Sequence, residues 1–421
     1  TQFHWDPSSR RTTTTFPNTT TEISDYNEAG ELVSFTNRSV QTQTRAYNAN
    51  GWLLTKNCPT CGSSFTYDDE GNLQQVIDAN TGTYSWTYDN LNRALTSVQP
   101  GGTTGGLKTV SYTYDNAGRP LTMTYPDNTT LTYSYNSRSL LSNIASSTLG
   151  NFGFSYDDAR RRTGLTFPNS HTGAYTYDTV SRPTGVTWNT ATPSLIASQT
   201  NVWNSVGNIS SSTTTHGLSG TRTYGYDQNN RLTTRTTSGS LNSPHPALTW
   251  NLDVVGNRTS TVLNGVTTSY SLNGAQLNQY GTIGGASQTW DTRGNLLTDG
   301  TRSLTYDADN RLIQAVSGAA TCTYTYDFAH RMASRLETGG SQIRMIYDQN
   351  WNVIATISGS TGSILQKFIH GPQVDELLAQ VGLSSSSTYY LTKDHLGSTT
   401  ALVRASTNAV VERYTCDEYG A

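Results

Sequence analysis

Three places in the chain gather residue types that could do chemistry. The first is Cys58-Pro59-Thr60-Cys61-Gly62. Two thiols at this spacing could close a turn as a disulfide, remain reduced, exchange with other thiols, or supply half of a metal site. A structural zinc needs two further ligands, and Cys322 and Cys416 each stand alone in the sequence. The bland role, a turn staple or a pair of thiols, is preferred, with Cys58 and Cys61 as metal ligands the lesser alternative. The second place is Asp394-His395 with Ser398, the residue types of a nucleophilic triad. No strained strand-to-helix turn surrounds this serine, which weighs against a nucleophile. The third is Asp375-Glu376, two carboxylates that could act as acid and base only if a cleft separated them suitably. His4, His171, His216, His245, His330 and His370 are scattered without metal-ligand spacing. No enzyme, no catalytic residue and no cofactor is expected from these groups.

Whatever positions them is built from strands. Between Val110 and Tyr135, the residues Val110, Tyr112, Tyr114, Leu121, Met123, Tyr125, Leu131, Tyr133 and Tyr135 fall on alternate positions, with serine and threonine between them. Side chains of a strand alternate between faces, so one face is aromatic and aliphatic and the other is mostly hydroxyl. The same pattern returns along the chain with an aromatic followed by Asp or Asn. It occurs at Tyr67-Asp68, Tyr114-Asp115, Tyr156-Asp157, Tyr177-Asp178, Tyr226-Asp227, Tyr306-Asp307 and Tyr326-Asp327, and also at Trp203-Asn204 and Trp250-Asn251. Tyr270-Ser271 keeps the rhythm without the acid. Most steps are 20 or 21 residues, with stretches where "PGGTTGG" and "LNSPHPAL" intrude. A fixed period of this size signals a repeat architecture. Within a repeat, Asp or Asn can bond backbone groups two residues on, and Gly or Asn shortly after supplies a positive φ. Arg93, Arg119, Arg182, Arg231, Arg311 and Arg331 close these turns and lie near the acids, so a ladder of Asp–Arg contacts is expected.

Motifs such as "YDNAGRPL", "YDQNNRL" and "YDADNRL" resemble the YD (tyrosine–aspartate) repeats of the Rhs family, which includes toxin-encapsulating proteins. The last fifty residues sharpen the likeness. "GPQVDELLA", "YYLTKDHLGSTTALV" and "VVERYTCDEYG" resemble the end of the Rhs core, in order. The resemblance makes Asp375, Glu376, Asp394, His395, Gly397 and Ser398 a core signature with a structural role. It implies an all-β fold in which tandem hairpins form one long, curved or spiralling antiparallel sheet, the wall of a hollow shell or tube. It also implies residues 1–365 as the repeat sheet and residues 366–421 as a signature segment continuous with it. Rhs cores usually continue into a self-cleavage motif and a variable toxin, which this sequence does not contain, so the chain reads as a piece of a longer protein.

Composition sets further bounds. Only 34% of residues are hydrophobic and 14% charged, with 25 tyrosines and 37 glycines. That mixture favours strands and tight turns over a disordered or charge-solvated chain. The net charge of -3 gives no reason to expect nucleic acid, and no apolar run is long enough to span a bilayer as a helix. Sparse lysine and abundant Thr and Ser suggest a secreted or cell-surface bacterial protein. About thirty strands at ~4.8 Å spacing would make a ladder of about 150 Å, one turn of a ring about 50 Å across. Tyrosine columns, packed on one another, are expected to cover the apolar face without a second layer.

The function these readings support is a structural shell segment that encloses or presents a C-terminal effector. The alternative is an extracellular surface or filament protein acting in adhesion, carbohydrate binding or self-assembly. Expected partners are an encapsulated polypeptide, or further copies or segments at open sheet edges, with carbohydrate on Trp188, Trp203, Trp250, Trp290 and Trp351 the lesser alternative.

Overall fold

The computed structural model describes residues 1–418 apart from Pro193, His216, 275–277 and 384–386. His216 and the Tyr419-Gly420 end of the signature therefore lie outside the described residues. A single repeat turn shows how the sequence makes the fold. Tyr177 ends the strand Thr172–Tyr177, and Asp178 begins the turn. The Asp178 carboxylate accepts the backbone N–H groups of Val180 at 3.0 Å and Arg182 at 2.9 Å, and Arg182 Nε donates to its other oxygen at 2.6 Å. Ser181 N–H bonds the Asp178 carbonyl, and Ser181 takes a φ of 69°. This is a tight turn followed by a left-handed residue, the position for which other repeats supply glycine, as at Gly71 and Gly118.

The returning strand carries one residue too many. Tyr177 pairs with Pro183 and Thr176 with Gly185, so Thr184 is bulged out. The same slip sits at the repeat tyrosine of the hairpins ending at Tyr67, Tyr114, Tyr156, Tyr226, Tyr306 and Tyr326. In the hairpin of Tyr114 the bulged residue is Leu121, which is consequently exposed although the alternation places it on the apolar face.

Forty strands are formed among the described residues, in two long antiparallel sheets of 27 and 13 strands. The number exceeds the roughly thirty expected at two per repeat. The signature segment adds five strands of its own, and the irregular stretch from Tyr280 to Thr298 is cut into four short ones. The sole helical element described is the single 3-10 turn Gly239–Asn242.

The chain divides into two compact units, each assembled from two separated stretches: residues 1–110 with 269–363, and residues 111–268 with 364–421. This corrects one expectation. The apolar faces are not covered by tyrosine columns alone, because strands remote in sequence lie over them. In the first unit Phe65, Val76 and Tyr84 form a buried cluster against which Phe328 packs, its ring 5.3 Å from that of Tyr84 and 5.9 Å from Trp86. In the same unit Gln99 bonds the backbone of Tyr347 twice, at 2.6 and 3.1 Å. In the second unit Phe152, Phe167 and Trp188 are fully buried, and Tyr390 from the distant segment stacks on Phe167 at 5.2 Å. Tyr125 donates its hydroxyl to the Phe368 carbonyl at 2.7 Å and Trp188 its indole N–H to that of Lys393 at 2.7 Å. Burying an aromatic ring is favourable by about 2–3 kcal/mol, and facing sheets gain that repeatedly while satisfying the polar tips.

Two repeats also sit in a different register from the one their spacing suggests. Asp253, not Asn251, closes the turn after Trp250, and Asn273, not Ser271, closes the one after Tyr270. In both cases the tryptophan or tyrosine lies two residues deeper in the strand, leaving Leu252 and Leu272 at the bulge.

Candidate functional site

The repeat tyrosines and acids have defined partners. The hydroxyls of Tyr67, Tyr156, Tyr177, Tyr226 and Tyr326 donate to the backbone carbonyls of Leu53, Leu141, Arg162, Ile209 and Leu312, at 2.8–3.0 Å. Each bond reaches back one hairpin, tying a repeat to the one before it. Trp203 and Trp290 do the same with indole N–H groups, onto Pro183 and Tyr280. Tyr114 and Tyr306 pair with Pro120 and Leu312 across their hairpins. Asp68 accepts from Asn72, and Asp115, Asp157, Asp227, Asp307 and Asp327 each hold the arginine four residues on. These arginines also reach forward. Arg161 Nη1 donates to the Asp178 carbonyl at 3.0 Å while its guanidinium lies 4.9 Å from the centre of the Tyr177 ring. The hydrogen bond from Arg93 holds the Asp89 carboxyl below its usual range, and that from Arg119 does so for Asp115.

The signature residues Glu376, Asp394, His395 and Gly397 line a cavity of about 250 Å³ in the second unit together with Arg162, Tyr175 and Lys393, whereas Asp375 and Ser398 do not line it. Arg162 and Glu376 form an ion pair at 2.5 Å, each side chain only 5% exposed. The same guanidinium donates to Tyr175 Oη at 3.1 Å and Gln373 Oε1 at 3.2 Å. Burial pushes the Tyr175 hydroxyl far above its ordinary value. Asp375, at a φ of 54°, forms the turn that presents Glu376.

Asp394 proves to be a repeat turn with lysine in the tyrosine position. Its carboxylate accepts the N–H groups of Leu396 at 2.9 Å and Ser398 at 2.8 Å, and Gly397 supplies the left-handed φ of 88°. Lys393 is buried, donates to Thr399 Oγ1 at 3.0 Å, and has its pKa lowered by that burial. The backbone N–H of His395 and its Nδ1 both meet Gln199 Oε1, at 3.3 and 3.0 Å, an acceptor that assigns the proton to Nδ1. Burial holds His395 below its ordinary pKa and therefore neutral. The His395 ring thus engages Gln199 rather than Ser398, and the Asp394 carboxylate closes its own turn. Neither geometry is that of a triad.

Sequence reasoning missed Arg162, Tyr175, Gln373 and Lys393. Lys393-Asp394 in place of Tyr-Asp was the legible signal, whereas Arg162 looks like any arginine beside a repeat turn. Elsewhere, Cys58 and Cys61 are register partners at the end of the hairpin of Leu53–Cys58 and Cys61–Tyr67 and form a disulfide. Among the described residues no group of three or more His, Cys, Asp or Glu side chains is placed to hold a metal ion. Trp188 and Trp250 are buried, while Trp351 is exposed at a turn.

Tandem bulged hairpins locked by Tyr-to-carbonyl and Asp–Arg contacts define a YD-repeat protein. Residues 101–241 and 176–421 match the family model described as Teneurin YD-shell, and residues 67–104 match that described as RHS Repeat. The chain belongs to the Teneurin YD-shell family. Comparison with curated proteins gives no match. Among solved structures it is similar to a chain in the crystal structure of TcdB2-TccC3-TEV, with a TM-score of 0.81 and 14% identity over 99% of this chain and 25% of that one. It is also similar to a chain in the structure of the Photorhabdus luminescens Tc holotoxin pore, with a TM-score of 0.76 and 13% identity over 99% and 24%. A third is TcdB2-TccC3 without hypervariable C-terminal region, with a TM-score of 0.65 and 14% identity over 99% and 24%. At such identities the likeness shows the fold, and the chain spans about a quarter of the length of these chains.

Proposed function

We propose that the chain is a non-enzymatic wall segment of a shell that encloses a polypeptide, in the manner of Rhs-type toxin proteins. The observation that carries this reading is the shared fold with TcdB2-TccC3 assemblies over 99% of the chain, one of which is described as being without its hypervariable C-terminal region. A sheet with one apolar and one hydroxyl-rich face suits such a wall, because the polar face keeps it in water while the other is covered from within. The repeat residues are structural in this reading, and so are Asp375, Glu376, Asp394, His395, Gly397 and Ser398. Residues 366–421 continue the wall formed by 1–365 and lend it their charged turns. Secretion from a bacterial cell, or display on its surface, follows from the same likeness. No helix among the described residues is long and apolar enough to cross a membrane.

The test is to express the chain with its natural flanking sequence and image the particles after limited proteolysis. Closed particles in which a downstream polypeptide resists protease until the wall is denatured support the reading. Fibres, or a downstream polypeptide digested while the wall stays intact, overturn it and favour a filament or adhesive surface.

A further inference from the structure

The insertion that stretches one repeat around residues 239–246 has no role in the hairpin grammar. In the second unit it lies beside the strands Ser219–Tyr226 and Leu232–Thr237, anchored by the fully buried Leu241. Arg222 and Tyr224 are two apart on the first of these strands, and Arg235 is the register partner of Tyr224, so the three side chains share a face. The Arg235 side chain is buried, 3% exposed, and that of Arg222 is largely so, 13% exposed. The carboxylate that meets them comes from far along the chain. Arg235 Nη1 lies 2.5 Å from Glu418 Oε2, and Arg222 Nε lies 4.0 Å from Glu418 Oε1. Arg235 Nη2 donates to the carbonyl of Pro246, in the insertion, at 2.7 Å.

From the strand Val410–Arg413 the chain runs without regular structure to Glu418. Arg413 donates to the Ile196 carbonyl at 2.7 Å and Tyr414 N–H to that of Thr400 at 2.9 Å. Tyr414, Thr415 and Cys416 then wall a small cavity of about 40 Å³ together with Trp188, Lys393 and Arg222. Tyr414 pins one end of this segment and Glu418 the other.

We propose that Arg222 and Arg235, the latter held in place by the Pro246 carbonyl, form a carboxylate-binding socket whose ligand is the side chain of Glu418, and that this contact latches residues 414–418 as a strap over the cavity beside Trp188. Two guanidiniums held largely out of water repel one another and lose hydration, and the Glu418 carboxylate between them offsets part of that cost. With Glu418 withdrawn, the socket keeps two largely buried cations without the Glu418 counter-charge and must take in water, so the strap and the socket open together. The surroundings bear the mark of this field. Burial and the charges of Arg222 and Arg235 lower the pKa of His245, while burial and the charge of Glu418 push Tyr224 up to about 12. The inference is independent of the shell reading, since it concerns only how this segment is held.

Cys416 reports the strap directly. In a Cys322→Ala chain with the Cys58–Cys61 disulfide intact, the rate of Cys416 reaction with a maleimide is measured for the parent, Glu418→Gln, Arg235→Met and the double variant. Each single substitution is expected to speed the reaction at least tenfold, and the double variant is expected to react no faster than the quicker single. A parental rate in Glu418→Gln, or multiplying effects in the double variant, overturns the latch. Circular dichroism checks that the variants are folded. If Glu418→Gln does not fold, hydrogen exchange on the parent decides. Amides of 414–418 exchanging together and before those of Thr399–Arg404 support the latch, whereas exchange only in step with that strand overturns it.

Discussion

The hydroxyl of a repeat tyrosine leaves its own hairpin and bonds a carbonyl of the preceding one. At Tyr177 that carbonyl belongs to Arg162, whose side chain is simultaneously committed to Glu376. Tyrosine is required there, rather than phenylalanine, because the ring packs on its neighbours while the tip donates to the Arg162 carbonyl. Tyr177→Phe should therefore lower stability by about 1 kcal/mol, the usual net value of one hydrogen bond, read as a shift in urea midpoint at unchanged slope. The tyrosine–aspartate pairing was plain in the sequence; its partner was not. Nothing local to Tyr177 points to a residue fifteen positions back, because that proximity exists only once two hairpins lie side by side.

Apart from the longer turn of Asn273, the described repeat turns place a left-handed residue three positions after their Asp or Asn. The turn of Asn37 places Val40 there, with a φ of 58° and its side chain largely exposed. A β-branched residue in that region is strained and here gains no packing in return. Val40→Gly should stabilise the chain by about 1 kcal/mol, and a lower melting temperature would count against the strain argument. The insertions obey a different logic from the turns. "PGGTTGG" docks on the segment Gly359–Gly362, where Thr103 and Thr104 donate to the Gly359 and Ser360 carbonyls. A Cβ on Gly105 would come within 2.1 Å of the Gly101 carbonyl oxygen and 2.4 Å of Gly362 Cα, so this approach of backbones admits only glycine. The first interruption thus meets residues 359–360 of the first unit, and the second shares Arg235 with Glu418 in the second unit.

Each unit is closed by such late contacts, so its stability depends on residues far apart in sequence. Glu376→Gln leaves the Arg162 guanidinium buried without its counter-charge and should cost about 3–5 kcal/mol, whereas the double change Arg162→Met, Glu376→Leu should cost clearly less. Equal losses in the two proteins would refute the assignment. Acid should weaken the molecule in two stages. His171, His245 and His395 are held neutral by burial, so the unfolded chain takes up protons near pH 6.5 that the folded chain refuses. Stability then falls as pH drops through about 6.5. Asp89 and Asp115 are depressed in the folded state, so what they contribute is present above about pH 4 and is lost as pH falls through their lowered values. A urea midpoint that is flat from pH 7 down to about 4 would eliminate the histidine stage.

The sequence by itself determined the repeat. Alternating polarity, an acid with its arginine, and a residue tolerant of positive φ are all local demands, and local demands are written locally. It also marked Asp375, Glu376, Asp394 and His395 as belonging together, through their resemblance to the Rhs core. Only the tertiary structure decided what covers the apolar faces, which arginine meets Glu376, and where Glu418 docks. Those outcomes turn on which strands come to face one another, and a repeat that reads almost alike at every turn carries little information about which two of its copies will meet.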